Sequence, residues 1–143
     1  MVCYVIDTSV VFEASIDVEL RKKIRFTDIN FIAPAKIELE LANRRAEIKS
    51  RAGLNNSRFN GLWRQLCQKI SIKKVDQSKV NQAERILRDL KNLGIGLEDK
   101  FFFAMALYLG CPYWTFESKY WANSTVSNAL RARGIVVVAT IPL

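Results

Sequence analysis

The chain has 143 residues, half of them hydrophobic and a quarter charged, enough for one domain with a substantial core. It contains no histidine, which excludes Ser-His-Asp and Cys-His catalysis, histidine-ligated metals and a histidine general base. A formal net charge of +8 and a pI near 9.6 suit a polyanionic partner, nucleic acid first. No apolar run approaches the roughly 20 residues that span a bilayer, and the start lacks the basic and apolar regions of a secretory signal. The expected location is cytoplasmic, away from any membrane. Cys3, Cys67 and Cys111 are widely spaced with no C-x-x-C pair, and read as free core thiols in a reducing compartment.

Residues 2–7 predict a buried strand, and Phe31–Ala33 a short second one. Pro34 is placed to open a helix through Ile37, Leu41 and Ile48. Asn55-Asn56-Ser57 breaks that pattern and caps a further helix through Phe59, Leu62 and Leu66, with a strand at Ile70–Val75. Lys79–Leu93 predicts an amphipathic helix carrying Val80, Ala83, Ile86, Leu87 and Leu90 on its apolar side. Asp99–Leu109 is a nearly all-apolar helix, Cys111–Thr115 a short strand and Tyr120–Arg133 mostly helical. The closing IVVVA reads as a strand inside a parallel sheet. Strands alternating with helices, without repeats or linkers, imply a three-layer α/β/α sandwich on a largely parallel sheet, as one domain over 1–143.

In such a sheet ligands sit at the carboxyl ends of the strands, and four acids share that address. Asp7 ends the first strand, Glu40 lies in the first turns of the helix after the second, Asp99 opens the apolar helix, and Glu117 follows the fourth strand. Clustered carboxylates repel unless a cation neutralises them. With no histidine and no cysteine cluster, the cation expected is Mg2+ or Mn2+. Each acid also has a plainer reading: a turn cap for Asp7, a favourable charge at a helix start for Asp99, solvated positions for Glu40 and Glu117. The helical wheel favours Glu38 over Glu40 for the buried direction. The two lie about 200° apart, so one helix cannot aim both at one site, and periodicity leaves the pair unresolved.

Three blocks in order resemble the PIN-domain nucleases, and among them the small VapC-like proteins. YVIDTSV is similar to the family's opening strand, APAKIELELAN to its second block, and LEDKFFFAMALYLGCPYWTFESKYW to its third. The resemblance places the family's acids on Asp7, Glu40, Asp99 and Glu117, the last standing where the family usually has aspartate. It implies a Rossmann-like fold, Mg2+ or Mn2+ held by those four residues, and hydrolysis of RNA phosphodiester bonds. Thr8, Ser9 and Thr115 are then placed to hold ligands or water around the ion. It further implies an endoribonuclease, either the toxin of a toxin–antitoxin pair, with an antitoxin protein as partner, or an RNA-processing enzyme; small size favours the toxin. The rival reading is a weak or inactive PIN-like module that binds RNA or protein.

Basic residues outnumber acids across 36–74, and Arg44, Arg45 and Lys49 directly after Glu40 are the expected phosphate contacts. A solvated helical face is the plainer account of them. Trp63 and Phe101–Phe103 read as core or as the contact of a homodimer. Trp114 and Trp121 flank Glu117, where one could stack on a base.

Overall fold

The computed structural model describes residues 2–143. Its five strands are β1 Cys3–Ile6, β2 Asn30–Pro34, β3 Ile70–Lys73, β4 Tyr113–Trp114 and β5 Val137–Val138. All pair in parallel, in the order β3-β2-β1-β4-β5. Eight helices flank them: α1 Thr8–Ile16, α2 Val18–Phe26, α3 Lys36–Asn43, α4 Arg45–Ala52, α5 Asn56–Lys69, α6 Gln77–Asp89, α7 Lys100–Leu109 and α8 Ser124–Ala132. Parallel crossovers are right-handed, so reversing the strand order at β1 puts the connecting helices on opposite faces. This is the expected α/β sandwich.

The order makes β1 central, and Val5 and Ile6 are fully buried there. It also makes the gap between β1 and β4 the switch point, where the chain leaves the two strands in opposite directions and a crevice opens at their carboxyl ends. Asp7 stands at that point. Opposite, α7 packs on β1, β2 and β4 as well as on α6. That two-sided burial is why Phe102–Ala106 are apolar without a polar face.

Several boundaries differ from the sequence pattern, each for a local reason. Residues 8–26, where periodicity assigns no element, form α1 and α2. Six of the nine α1 residues are buried, including Thr8 and Ser15, so no polar stripe marks the helix. Asp17 ends α1 and caps α2 by accepting from the backbone N–H groups of Glu19 and Leu20, at 3.0 and 3.2 Å. Pro34 closes β2 instead of opening a helix, and α3 starts at Lys36. The expected helix through Ile48 is broken at Arg44, whose backbone leaves helical geometry (φ −105°, ψ 7°). The break lets α4 pack on α1, burying Ile48 completely. IVVVA contributes only Val137 and Val138, half-buried on an edge strand with one neighbour, and is not an interior strand.

The cysteine expectation is overturned for two of the three residues. Parallel pairing sets Val5 opposite Tyr113, which two residues earlier sets Cys3 beside Cys111. Their Cα atoms are 5.6 Å apart and the sulfurs are bonded. Cys67 is free but exposed, not a core residue. No helix among the described residues is long and apolar enough to cross a membrane.

Candidate active site

Asp7 is 2% exposed, and a carboxylate so placed survives only if its lone pairs are satisfied. Four donors do this. Oδ2 accepts from the Ser9 backbone N–H at 3.2 Å, from Ser9 Oγ at 2.6 Å and from Thr115 Oγ1 at 2.9 Å. Oδ1 accepts from the Tyr113 hydroxyl at 2.5 Å. The Ser9 N–H bond is also the N-cap of α1, so the turn-cap account of Asp7 holds alongside any chemical one. Burial, and next the Asp7 charge, push the Tyr113 phenol well above its ordinary value. That hydroxyl therefore stays protonated and serves Asp7 as a fixed donor.

Asp99 immediately precedes α7 and is 6% exposed. Its Oδ2 accepts from the Tyr120 hydroxyl at 2.6 Å. Burial raises the Asp99 carboxyl from 3.8 to about 7 against the opposing Tyr120 hydrogen bond, and the charges of Asp7 and Glu117 push the same way. Asp7 and Glu117, from two other segments, thus both act on Asp99. Glu117 is tied to this centre through its backbone, which donates to Thr115 Oγ1 at 3.0 Å. Its carboxylate pairs with Lys119 Nζ at 3.2 Å. Burial alone would lower the Lys119 ammonium, but hydrogen bonds to Glu98 and Glu117 outweigh it and hold it above its ordinary value.

Glu40 and Glu38 separate clearly. Glu40 Oε2 accepts from Thr8 Oγ1 at 2.5 Å, beside Asp7, and Oε1 pairs with Lys36 Nζ at 3.4 Å. Glu38 is exposed on the other side of α3, near Cys67 and Trp63. The wheel points wrongly because it takes Leu39 as a buried position, and Leu39 is 69% exposed. Glu40→Gln is therefore expected to lower any cleavage by at least the 10- to 100-fold, roughly, that loss of a ligand-orienting group costs. Glu38 forms no ion pair or side-chain hydrogen bond among the described residues, so Glu38→Gln is expected to leave kcat at saturating RNA within roughly twofold. Steady-state cleavage rates of the two purified variants make the comparison, and the opposite order would put the site on the wrong face of α3.

Among the described residues no three acidic or thiol side chains converge closely enough to form a ready metal cage. Two of the glutamates are engaged by lysines instead: Lys36 pairs with Glu40 and Lys119 with Glu117, and the two ammoniums also bond Glu98, through its carbonyl and its carboxylate. The donor set still fits a hard divalent ion. It is all oxygen, the charges of Asp7 and Glu117 add to burial in raising Asp99, and Asp99 Oδ1 and Glu117 Oε1 accept no hydrogen bond from the described residues.

Sequence patterns do not reveal Tyr113, Tyr120, Lys36, Lys119 and Glu98. The tyrosines read as core aromatics, and only their position beside Asp7 and Asp99 gives the hydroxyls a task. Trp114 is 2% exposed, with its indole N–H bonded to the Ala139 carbonyl, so it offers no face for a base. Trp121 donates to the Thr115 carbonyl. Arg44 lies over the Phe12 ring at 3.6 Å and pairs with Glu47 at 3.2 Å. Arg45 bonds Asn60 and Lys49 bonds Asn56.

Comparison with known proteins agrees with this architecture. No curated protein matches the chain significantly. A family model described as the PIN domain matches residues 5–133, a span from β1 through α8 that includes all four acids and every residue bonded to them. With nine-tenths of its length so matched, the chain belongs to the PIN-domain family, a superfamily of nucleases that typically depend on divalent metals.

Proposed function

We propose that the protein is a metal-dependent endoribonuclease in which Asp7, Glu40, Asp99 and Glu117 hold one or two Mg2+ or Mn2+ ions. The observation that carries the reading is the pair of buried carboxylates, Asp7 and Asp99, each held by a tyrosine hydroxyl, with the charges of Asp7 and Glu117 both acting on Asp99. A bound ion would supply a Lewis acid for the scissile phosphate and lower the pKa of attacking water. The chain's own residues do the positioning. Tyr113, Ser9 and Thr115 fix the Asp7 carboxylate, Tyr120 fixes Asp99, and Thr8 holds Glu40. An ion held by Glu40 and Glu117 would compete with Lys36 and Lys119 for those carboxylates, leaving the two ammoniums on Glu98 beside the phosphate.

Cleavage of a quenched-fluorophore single-stranded RNA, with Mn2+, with Mg2+ and with EDTA, tests the assignment. The expected result is hydrolysis with either metal and none in EDTA. Absence of cleavage under all conditions, with RNA binding retained, would instead favour the binding-module reading, which the two lysine–glutamate pairs support. Arg44, Arg45 and Lys49 are proposed as phosphate contacts. Replacing all three by glutamine should lower the salt slope of RNA binding by up to about two, at about 0.7 per contact on a single strand. A toxin restrained by an antitoxin is the preferred cellular role, read out as growth arrest that disappears with Asp7→Asn.

A further inference from the structure

A groove of about 690 Å3 opens where the carboxyl ends of β2 and β3 meet the start of α7. Leu39, Val75 and Phe101 form its apolar surface, and Lys36, Lys73 and Lys74 its basic one; Glu38 is the acid that lines it. We propose that this groove carries the single-stranded nucleic acid leaving the acid centre, with a base against Phe101 and phosphates on Lys73 and Lys74. The proposal rests on the ribonuclease reading and deepens it.

Three observations support this occupant. The groove adjoins the acid centre through Lys36, which lines it and pairs with Glu40 at 3.4 Å, while also bonding the carbonyl of Glu98, next to Asp99. A strand whose phosphate sits at the acids therefore has this surface directly beside it. Two of the groove's three cations are also uncommitted: Lys73 and Lys74 are exposed, and neither is paired with a carboxylate or hydrogen-bonded by its side chain among the described residues. Arg44, Arg45 and Lys49, in contrast, must first release internal partners. The Phe101 ring, finally, has the Lys36 and Lys100 ammoniums at 5.8 and 5.4 Å from its centre. An apolar ring flanked by cations is the pairing that stacks bases and tracks a backbone without reading sequence. A protein ligand would need several acidic groups and has less reason to abut the acids.

Fluorescence anisotropy with a labelled single-stranded oligoribonucleotide tests the path, in EDTA to silence cleavage and at several salt concentrations. Lys73→Gln/Lys74→Gln is expected to weaken binding and to lower the slope of log K against log salt by about 1.4. Phe101→Leu keeps the apolar volume but loses the π face, and is expected to weaken binding roughly tenfold with the slope unchanged. Circular dichroism melting confirms that each variant is folded. Wild-type protein that binds RNA with a lysine variant of unchanged affinity and slope overturns the groove while leaving the ribonuclease reading intact. The same unchanged RNA binding, with lost binding of a labelled polyglutamate probe, overturns it in favour of an acidic protein partner. Wild-type protein that neither binds RNA nor cleaves it with Mn2+ removes the functional reading, and the groove proposal with it.

Discussion

Asp7→Asn is expected to lower RNA cleavage by three to four powers of ten while leaving the fold in place. The activity loss follows from charge. An amide keeps the carboxylate's volume but cannot serve as an anionic ligand, and metal stabilisation of phosphoryl charge is worth several kcal/mol, about that many powers of ten in rate. Retention of the fold follows from the donors. Asparagine can keep its carbonyl oxygen toward Ser9 and Thr115, preserving the N-cap, for which Asn and Asp are equivalent. Its NH2 group then faces Tyr113, whose hydroxyl can turn to accept. Relief of the Asp7 charge also eases the repulsion felt by Asp99. The melting temperature should thus stay at or slightly above that of the wild type, measured in EDTA. A folded Asp7→Asn protein that still cleaves at near-wild-type rates would remove Asp7 from the chemistry and leave it only as a helix cap.

The contrast between Asp7 and its neighbours shows which features a sequence makes legible. A carboxylate closing an apolar strand is conspicuous because burial is costly, and parallel-sheet topology then brings the later acids to the same edge without further information. The Tyr113 and Tyr120 hydroxyls are hidden because both side chains also satisfy the demands of a core: Tyr113 and Tyr120 each pack edge-on against Phe103. Cys3 and Cys111 escape notice for the opposite reason. Their wide separation along the chain argues against pairing, yet β1–β4 register makes them neighbours. Helix α1 shows the limit of periodicity, since a helix buried on most sides has no polar stripe to detect. Glu38 shows its hazard: exposed Leu39 imitates a core position because it lines an open groove rather than the interior.

Stability is expected to fall as pH rises in the absence of divalent metal, and Mg2+ or Mn2+ should offset part of this fall. In the native protein the Asp99 carboxyl stands at about 7 against 3.8 ordinarily, chiefly because of burial, with Asp7 and Glu117 adding repulsion. Between those two values the native state holds a proton that the unfolded chain has released, so unfolding becomes easier as pH increases through the window and levels off above about 7. At about 1.36 kcal/mol per pH unit, the full span amounts to about 4 kcal/mol. A divalent ion binds the ionised carboxyl and acts in the opposite sense. At about 100 times its Kd it adds roughly 2.7 kcal/mol to the native state, which at this chain length raises the melting temperature by about 8 °C. Protons compete with the ion for Asp99, so the rise should be larger at pH 8 than at pH 5.5, and the pH dependence should flatten in metal. Asp99→Asn separates this origin from surface carboxylates, because it should lose both the slope in EDTA and most of the metal-induced rise. Melting curves in EDTA that do not shift between pH 5 and 8 would show that Asp99 titrates normally. Curves at pH 8 that ignore millimolar Mg2+ and Mn2+ alike would show that the four acids do not hold an ion.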